Sequence, residues 1–309
     1  MTQPLLKWAG GKRQLLPYLR RFYPPSFNRY IEPFLGSGAV FFDLHASGRL
    51  RGHDVVLIDS NADLVGCYET VRDAPHTVAD ELERLAAAHE IEARAHYLAV
   101  RDERFNPLRD RRRRADGGIS YNAALAAMFI YLNRTGFNGL FRLNKRGEFN
   151  VPPGRYERPR IADRQRIASA AAALASPGVR LMLGGFERAC EIAERRDFVY
   201  FDPPYAPLTQ TSNFTSYTAD RFDRDDQLRL QQIVVLLAKR GCFVLVSNST
   251  AGEVAALYEE NEIARAAGLR PLRVPARRAI NSKPSRRGPV DEYLITNVTE
   301  AFEPASQTS

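Results

Sequence analysis

The chain has 309 residues, 44% hydrophobic and 26% charged, a balance ordinary for a soluble globular protein and large enough for one big domain or two small ones. Its net charge of +8 is localised: residues 101–160 hold 14 Lys/Arg against 6 Asp/Glu, while the rest balances at 30 of each, the footprint of a nucleic-acid contact. No apolar run reaches the roughly 18 residues that span a bilayer. The N-terminus lacks a signal-peptide pattern, and the scattered Cys67, Cys190 and Cys242 suggest neither zinc nor disulfides. These features predict a cytoplasmic protein without a structural metal.

In chain order, Tyr30-Ile31-Glu32 reads as a short strand that runs into the glycine turn Phe34-Leu35-Gly36-Ser37-Gly38, with a helix from about Ala39 to Ser47. Asp54–Asp59 is a second strand ending in an acid. Residues 63–100 are helical, with Leu82, Leu85 and Ala86 at helical spacing. Arg111 to Arg114, followed by Asp116-Gly117-Gly118, reads as a solvated, mobile loop. Residues 121–133 form a buried helix. Asn144-Lys145-Arg146-Gly147 then predicts a hairpin turn between Leu140–Leu143 and Glu148–Val151. Strands return at Val179–Leu183, Phe198–Phe201, Cys242–Ser247 and Glu292–Thr296, with a helix over 224–239, and residues 301–309 form a frayed tail. Strand–helix alternation at both ends predicts a discontinuous α/β catalytic domain, 1–62 plus 161–300. A basic helical insertion over 63–160 separates its two parts.

Asp202-Pro203-Pro204-Tyr205 follows the apolar run Phe198–Phe201. Two prolines cannot extend a strand, so the tetrapeptide forms a fixed turn at its carboxyl end, where open α/β sheets bind ligands. The atoms suit methylation of an exocyclic amine. The Asp202 carboxylate and the Pro203 carbonyl accept its two hydrogens, and Tyr205 stacks on the ring. Asp59 lies 21 residues beyond Gly38, where an acid accepts hydrogen bonds from ribose hydroxyls. Phe41, at the third glycine position of a dinucleotide fingerprint, argues against a pyrophosphate. It suits a nucleoside cofactor, S-adenosylmethionine.

Four blocks carry a resemblance to a known family. They are Leu6-Lys7-Trp8-Ala9-Gly10-Gly11-Lys12; Ile31-Glu32-Pro33-Phe34-Leu35-Gly36-Ser37-Gly38; Asn133 to Arg142 with Arg146 to Pro152 and Arg155-Tyr156; and Asp202 to Leu208 with Asn213-Phe214-Thr215. Over Leu6 to Asn297 the chain resembles the Dam-type DNA adenine N6-methyltransferases, the α-ordered D12 class. The resemblance implies a Rossmann-like S-adenosylmethionine-dependent methyltransferase sheet, seven-stranded and mostly parallel, with an inserted helical DNA-recognition domain. It implies that Trp8, Lys12, Gly36, Asp59 and Asp202 form the cofactor site, with Lys12 on the methionine carboxylate. Asp202, Pro203, Pro204 and Tyr205 form the catalytic turn, and Lys7, Phe137, Asn138, Leu140, Arg142, Pro152 and Tyr156 meet double-stranded DNA. Phe137 stands where the family has a tyrosine, and Gly185 where it often has an acid, so the cofactor role of Gly184-Gly185-Phe186 stays open. The implied activity is adenine N6 methylation in GATC by base flipping, in a nucleoid-associated monomer. An RNA or protein-amide methyltransferase and a catalytically inactive DNA-binding module are the alternatives.

Overall fold

The structure, a computed structural model, describes residues 4–8, 10, 12–206, 222–277 and 289–300. Ala9, Gly11, Pro207, Leu208, the Asn213-Phe214-Thr215 block and the 301–309 tail lie outside the described residues.

After a short helix α1 (Leu16–Leu19), strand β1 (Arg29–Glu32) leads through the glycine turn into α2 (Ala39–Ala46). Strand β2 (Asp54–Asp59) is followed by Asn61, whose side chain caps α3 (Ala62–Asp73). The long helical region is broken where its chemistry demands it. Pro75 opens α4 (Pro75–Ile91), and Glu92 leaves helical geometry before α5 (Ala93–Ala99). A π-turn over Val100–Phe105 leads into α6 (Asn106–Arg111), and α7 (Ala123–Thr135) is buried along nearly its whole length. Helix α8 (Arg164–Leu174), capped by Asp163, returns the chain to strand β3 (Val179–Leu183), helix α9 (Arg188–Ile192) and strand β4 (Phe198–Phe201). Helix α10 (Arg224–Arg240), strand β5 (Phe243–Ser249), α11 (Gly252–Tyr258) and α12 (Glu262–Ala266) precede an antiparallel pair, β6 (Arg270–Arg277) and β7 (Pro289–Thr296).

The sheet has seven strands in the order β3-β2-β1-β4-β5-β7-β6, and β7 alone runs against the others. Alternate residues of each strand face opposite layers. Tyr30, Val55, Leu57, Phe198 and Tyr200 join one core with α2, α3, α4, α7 and α8. Ile31, Val56, Ile58, Val199 and Phe201 join the other with α9 to α12. Helices of the 63–160 stretch thus share their apolar interior with one sheet face. Strand order reverses between β1 and β4, and the carboxyl ends of those two strands open the crevice that holds the site.

Two expectations are corrected. The arms Leu140–Leu143 and Glu148–Val151 are not regular strands: their one ladder contact is the bridge Leu143↔Phe149, because Phe141, Leu143 and Phe149 turn inward onto the core. Residues 111–118 are not a free loop but a second tight turn closed by the bridge Arg113↔Ile119. Strand β6 escapes sequence reading because Pro271, Pro275 and three arginines interrupt its pattern; it is an outer strand, where proline is tolerated.

Candidate active site

A cleft of about 620 Å³ lies at the strand-order reversal. The Phe34–Gly38 turn after β1, Asp59 after β2 and Asp202–Tyr205 after β4 all line it, together with Trp8 and Lys12 from the N-terminal segment. All the sequence-derived catalytic and cofactor residues therefore converge. Gly36 adopts φ +48°, and a Cβ there would sit 2.8 Å from Trp8 Cδ1, so only glycine lets the turn close under the indole. Asp59 Oδ2 accepts from Gly36 N at 2.9 Å and Oδ1 from Asn61 N at 2.9 Å, which fixes the carboxylate at the strand end. Burial raises its pKa to about 6.

Asp202 Oδ1 meets Lys12 Nζ at 2.7 Å and accepts from Ser247 Oγ at 2.9 Å; Ser247 in turn contacts Tyr200 OH at 3.0 Å. Lys12 also donates to Gly10 O at 2.5 Å and sits 4.3 Å from the Tyr205 ring centroid. Its partner is thus the catalytic-turn carboxylate. Burial lifts the Asp202 carboxyl above the ordinary range, and Lys12 and Ser247 pull it back down. Tyr205 is anchored by its hydroxyl, which donates to Glu292 Oε2 at 2.7 Å. Pro204 O accepts from Gln227 Nε2 at 3.1 Å, and Asn248 Nδ2 donates to Gln227 Oε1 at 3.0 Å, so a buried amide relay clamps the turn.

Beneath the turn lies Glu32, buried, with Oε2 accepting from Tyr30 OH at 2.8 Å and from Phe41 N at 3.1 Å. Burial pushes its pKa to about 8 despite these donors. Phe34, Phe186 and Phe222 form an aromatic wall, with Phe34 stacked on Phe186 at 5.3 Å. Gly184 and Gly185 line the cleft, and a Cβ at Gly185 would collide with the Glu187 carboxylate. An acid therefore does stand at that place, reached from two residues further along.

The residues expected to meet DNA are Lys7 and those on the neighbouring arm. Asn133 Nδ2 donates to Lys7 O at 2.6 Å and to Gly139 O at 3.0 Å, and Lys7 N donates to Asn133 Oδ1 at 2.8 Å, which staples the N-terminal segment to the arm. Lys7 Nζ stands 4.1 Å from the Tyr156 ring centroid. Phe137 and Tyr156 are exposed aromatics, 48% and 37%, and with Pro152 they border a second cleft of about 490 Å³. Asn138 takes the left-handed conformation, φ 54°, in the turn that presents Phe137. The Arg142 guanidinium is aimed by Asn150: Nε donates to Oδ1 at 2.7 Å and Nη2 to the carbonyl at 3.3 Å. Leu140 and Arg142 stand outside the second cleft, and Leu140 is packed partly against the core. Trp8 links the two regions by stacking on Phe141 at 6.1 Å.

Sequence reasoning missed Ser247, Gln227 and Asn133. For Ser247 a signal exists: the apolar run of β5 ends in the polar triplet Ser247-Asn248-Ser249, at the same sheet edge as Asp202.

The seven-stranded sheet and its cleft define a Rossmann-like methyltransferase architecture. A family profile describing D12 class N6 adenine-specific DNA methyltransferases matches residues 8–271. The chain is 38% identical over 298 residues to the Type II methyltransferase M1.LlaDCHI of Lactococcus lactis subsp. cremoris, covering 96% of this chain and 95% of that one. It is 38% identical to the Type II methyltransferase M.MjaIII of Methanocaldococcus jannaschii, covering 96% and 99%. Identity to the DNA adenine methylase of Escherichia coli strain K12 is 33%, covering 99% of both chains. The chain belongs to the D12 class N6 adenine-specific DNA methyltransferase family and is an enzyme of that class.

Proposed function

We propose that the protein methylates N6 of an adenine flipped out of duplex DNA within GATC, using S-adenosylmethionine, with the 63–160 region reading the site. The observation that carries this reading is the Asp202 carboxylate, held through Oδ1 by Lys12 and Ser247 at the mouth of an otherwise acidic cleft.

The cleft suits that cofactor chemically. Among the described residues, Asp59, Glu187, Asp202 and Asp226 line it against Lys12 alone, with Glu32 kept protonated at neutral pH by burial, a charge set that repels a diphosphate and favours a cation. The aromatic wall of Phe34, Phe186 and Phe222 suits a flat purine, and Asp59 suits ribose hydroxyls. S-adenosylmethionine, when bound, supplies an electrophilic methyl group on a sulfonium. The protein's own task is to orient the amine. With Oδ1 occupied, Asp202 Oδ2 accepts one amine hydrogen and the Pro203 carbonyl the other, which draws the nitrogen lone pair out of conjugation. The anchored Tyr205 ring stacks on the extruded base and offsets part of the few kcal/mol that extrusion costs. Catalysis is then positioning and electrostatics, with no strong general base.

GATC follows from the family positions Lys7, Leu140, Arg142, Pro152 and Tyr156. The forked guanidinium of Arg142, aimed by Asn150, suits guanine O6 and N7. In single-turnover methyl transfer to a GATC duplex, Asp202→Ala is expected to abolish the reaction while DNA affinity stays within a few-fold. Wild-type rates in the variant would remove Asp202 from the mechanism. Equal transfer by the wild type to duplexes lacking GATC would overturn the specificity and leave the chemistry standing.

A further inference from the structure

Two turns of the same construction stand side by side. In the first, Asn144 N donates to Glu148 O at 2.8 Å, Gly147 N to Asn144 O at 2.8 Å, and Gly147 takes φ 75°. In the second, Arg114 N donates to Gly118 O at 2.8 Å, Gly117 N to Arg114 O at 3.1 Å, and Gly117 takes φ 82°. Each turn is nailed by an Asx side chain: Asn144 Oδ1 accepts from Glu148 N at 3.0 Å, and Asp116 Oδ1 from Gly118 N at 2.9 Å. They abut, because Arg113 Nη2 donates to Gly147 O at 3.1 Å and Arg109 Nη1 to the same oxygen at 2.7 Å.

The joined tips carry Arg113 and Arg114 on one turn, with Arg111 and Arg112 leading into it from the end of α6, and Lys145 and Arg146 on the other. Arg113 has a structural task and also meets Asp110, and Arg114 meets Asp116 in an exposed pair. Among the described residues, Arg111, Lys145 and Arg146 meet no acid. The second turn closes on its own backbone and on Asp116, so folding does not require Arg111 or Arg114 there, and Arg112 adds a single contact, from Nη1 to Ser120 O at 3.1 Å. An exposed ion pair such as Arg114–Asp116 is worth little and yields readily to a phosphate.

We propose that the 113–119 turn and its flanking arginines are a second DNA-contacting element, which grips backbone phosphates outside the bases that the arm reads. The inference rests on the DNA-methylating function proposed above. The turn stands beside the arm's tip, and its contacts accordingly fall on duplex beside the bases that the arm reads. Phosphate contacts position the protein and carry no sequence information, so the element adds affinity and leaves site choice alone. Because it is docked rigidly on Gly147, little ordering cost falls due on binding.

The test uses the full chain with R111Q/R112Q/R114Q, which leaves Arg109 and Arg113 in place. On a long duplex with GATC at its centre, each lost phosphate contact should flatten the slope of log affinity against log salt by about 0.9, so the triple variant should lose roughly two to three units. On a short duplex trimmed close to GATC, variant and wild type should bind alike. Turnover at saturating DNA and the preference for GATC should not change. R111Q/R114Q, which leaves the Arg112 contact to Ser120 O intact, should lose about two units and serves if the triple variant folds poorly. Wild-type slopes for the variants on the long duplex would overturn the inference. Failure of the wild type to bind any duplex would instead sink the functional reading beneath it.

Discussion

Asp202 titrates in a setting that its own motif does not create. Burial raises its carboxyl, and the Lys12 ammonium at 2.7 Å is the strongest group opposing that rise. A protonated Asp202 donates where it must accept, so methyl transfer should fall as pH drops through the Asp202 pKa. Lys12→Met removes the opposing cation and leaves the burial. The acid limb of the single-turnover rate profile, at saturating cofactor, should therefore move to higher pH. Ser247→Ala should move it the same way by less. A limb that stays in place in Lys12→Met would show that another group controls it. At this scale the sequence was readable where chemistry is local: Asp59 and Asp202 announce themselves as acids at strand ends. Gln227 does not, because its work depends on a neighbour that only the fold brings close, Pro204 O.

Among the elements, the arm proposed to read DNA is tied to the helix after β2 by one buried ion pair. Arg109 Nε and Nη2 meet Asp63 at 2.7 and 2.8 Å, Tyr121 OH donates to the same carboxylate at 2.9 Å, and the third guanidinium nitrogen holds Gly147 O. Asp63 sits in the first turn of α3, directly after the Asn61 cap that also binds Asp59. Arg109→Met strands a buried carboxylate and should cost about 3–5 kcal/mol in urea unfolding. Asp63→Leu with Arg109→Met should regain most of that stability, since an apolar pair replaces the ions. DNA affinity should stay reduced in the double variant, because Gly147 has lost the shorter of its two anchors and keeps only Arg113. Recovery of affinity along with stability would show that the pair serves folding alone. In the sequence Arg109 looks like any other arginine of a basic run, and periodicity cannot single it out. The hairpin turn was legible from Asn144–Gly147 because turn chemistry is local. The irregular arms were not, since inward packing of Phe141 and Phe149 decides them.

The whole molecule separates its charges. An acidic cleft sits beside the 101–160 segment, which carries the entire excess of positive charge, a separation that suits the cationic cofactor and the polyanion proposed above without the two fields cancelling. Wild-type affinity for duplex DNA should fall steeply between low and physiological salt, with a slope of about −0.9 per neutralised phosphate. An affinity flat over that range would show that residues 101–160 do not face DNA. Alternating strands and helices made the α/β class legible, and the apolar runs located six of the seven strands to within a few residues. Strand order was not legible, because it is set by crossovers and by which sheet faces the helices cover.

That strand order also dictates when the active site comes into being. Arg29 N donates to Asp197 Oδ1 across 168 residues of chain, and the β1–β4 seam it marks is the floor of the cleft. As the polypeptide leaves the ribosome, β1 and β2 appear early but the inner edge of β1 has no mate until the whole helical insertion and β3 have been made. The α4–α7 interior of the insertion, built from shorter-range contacts, is free to consolidate first. Closure of the seam, and with it assembly of Asp202 beside Gly36, is then a late, long-range step, and the unpaired apolar edge of β1 is the stretch most open to misassociation before it happens.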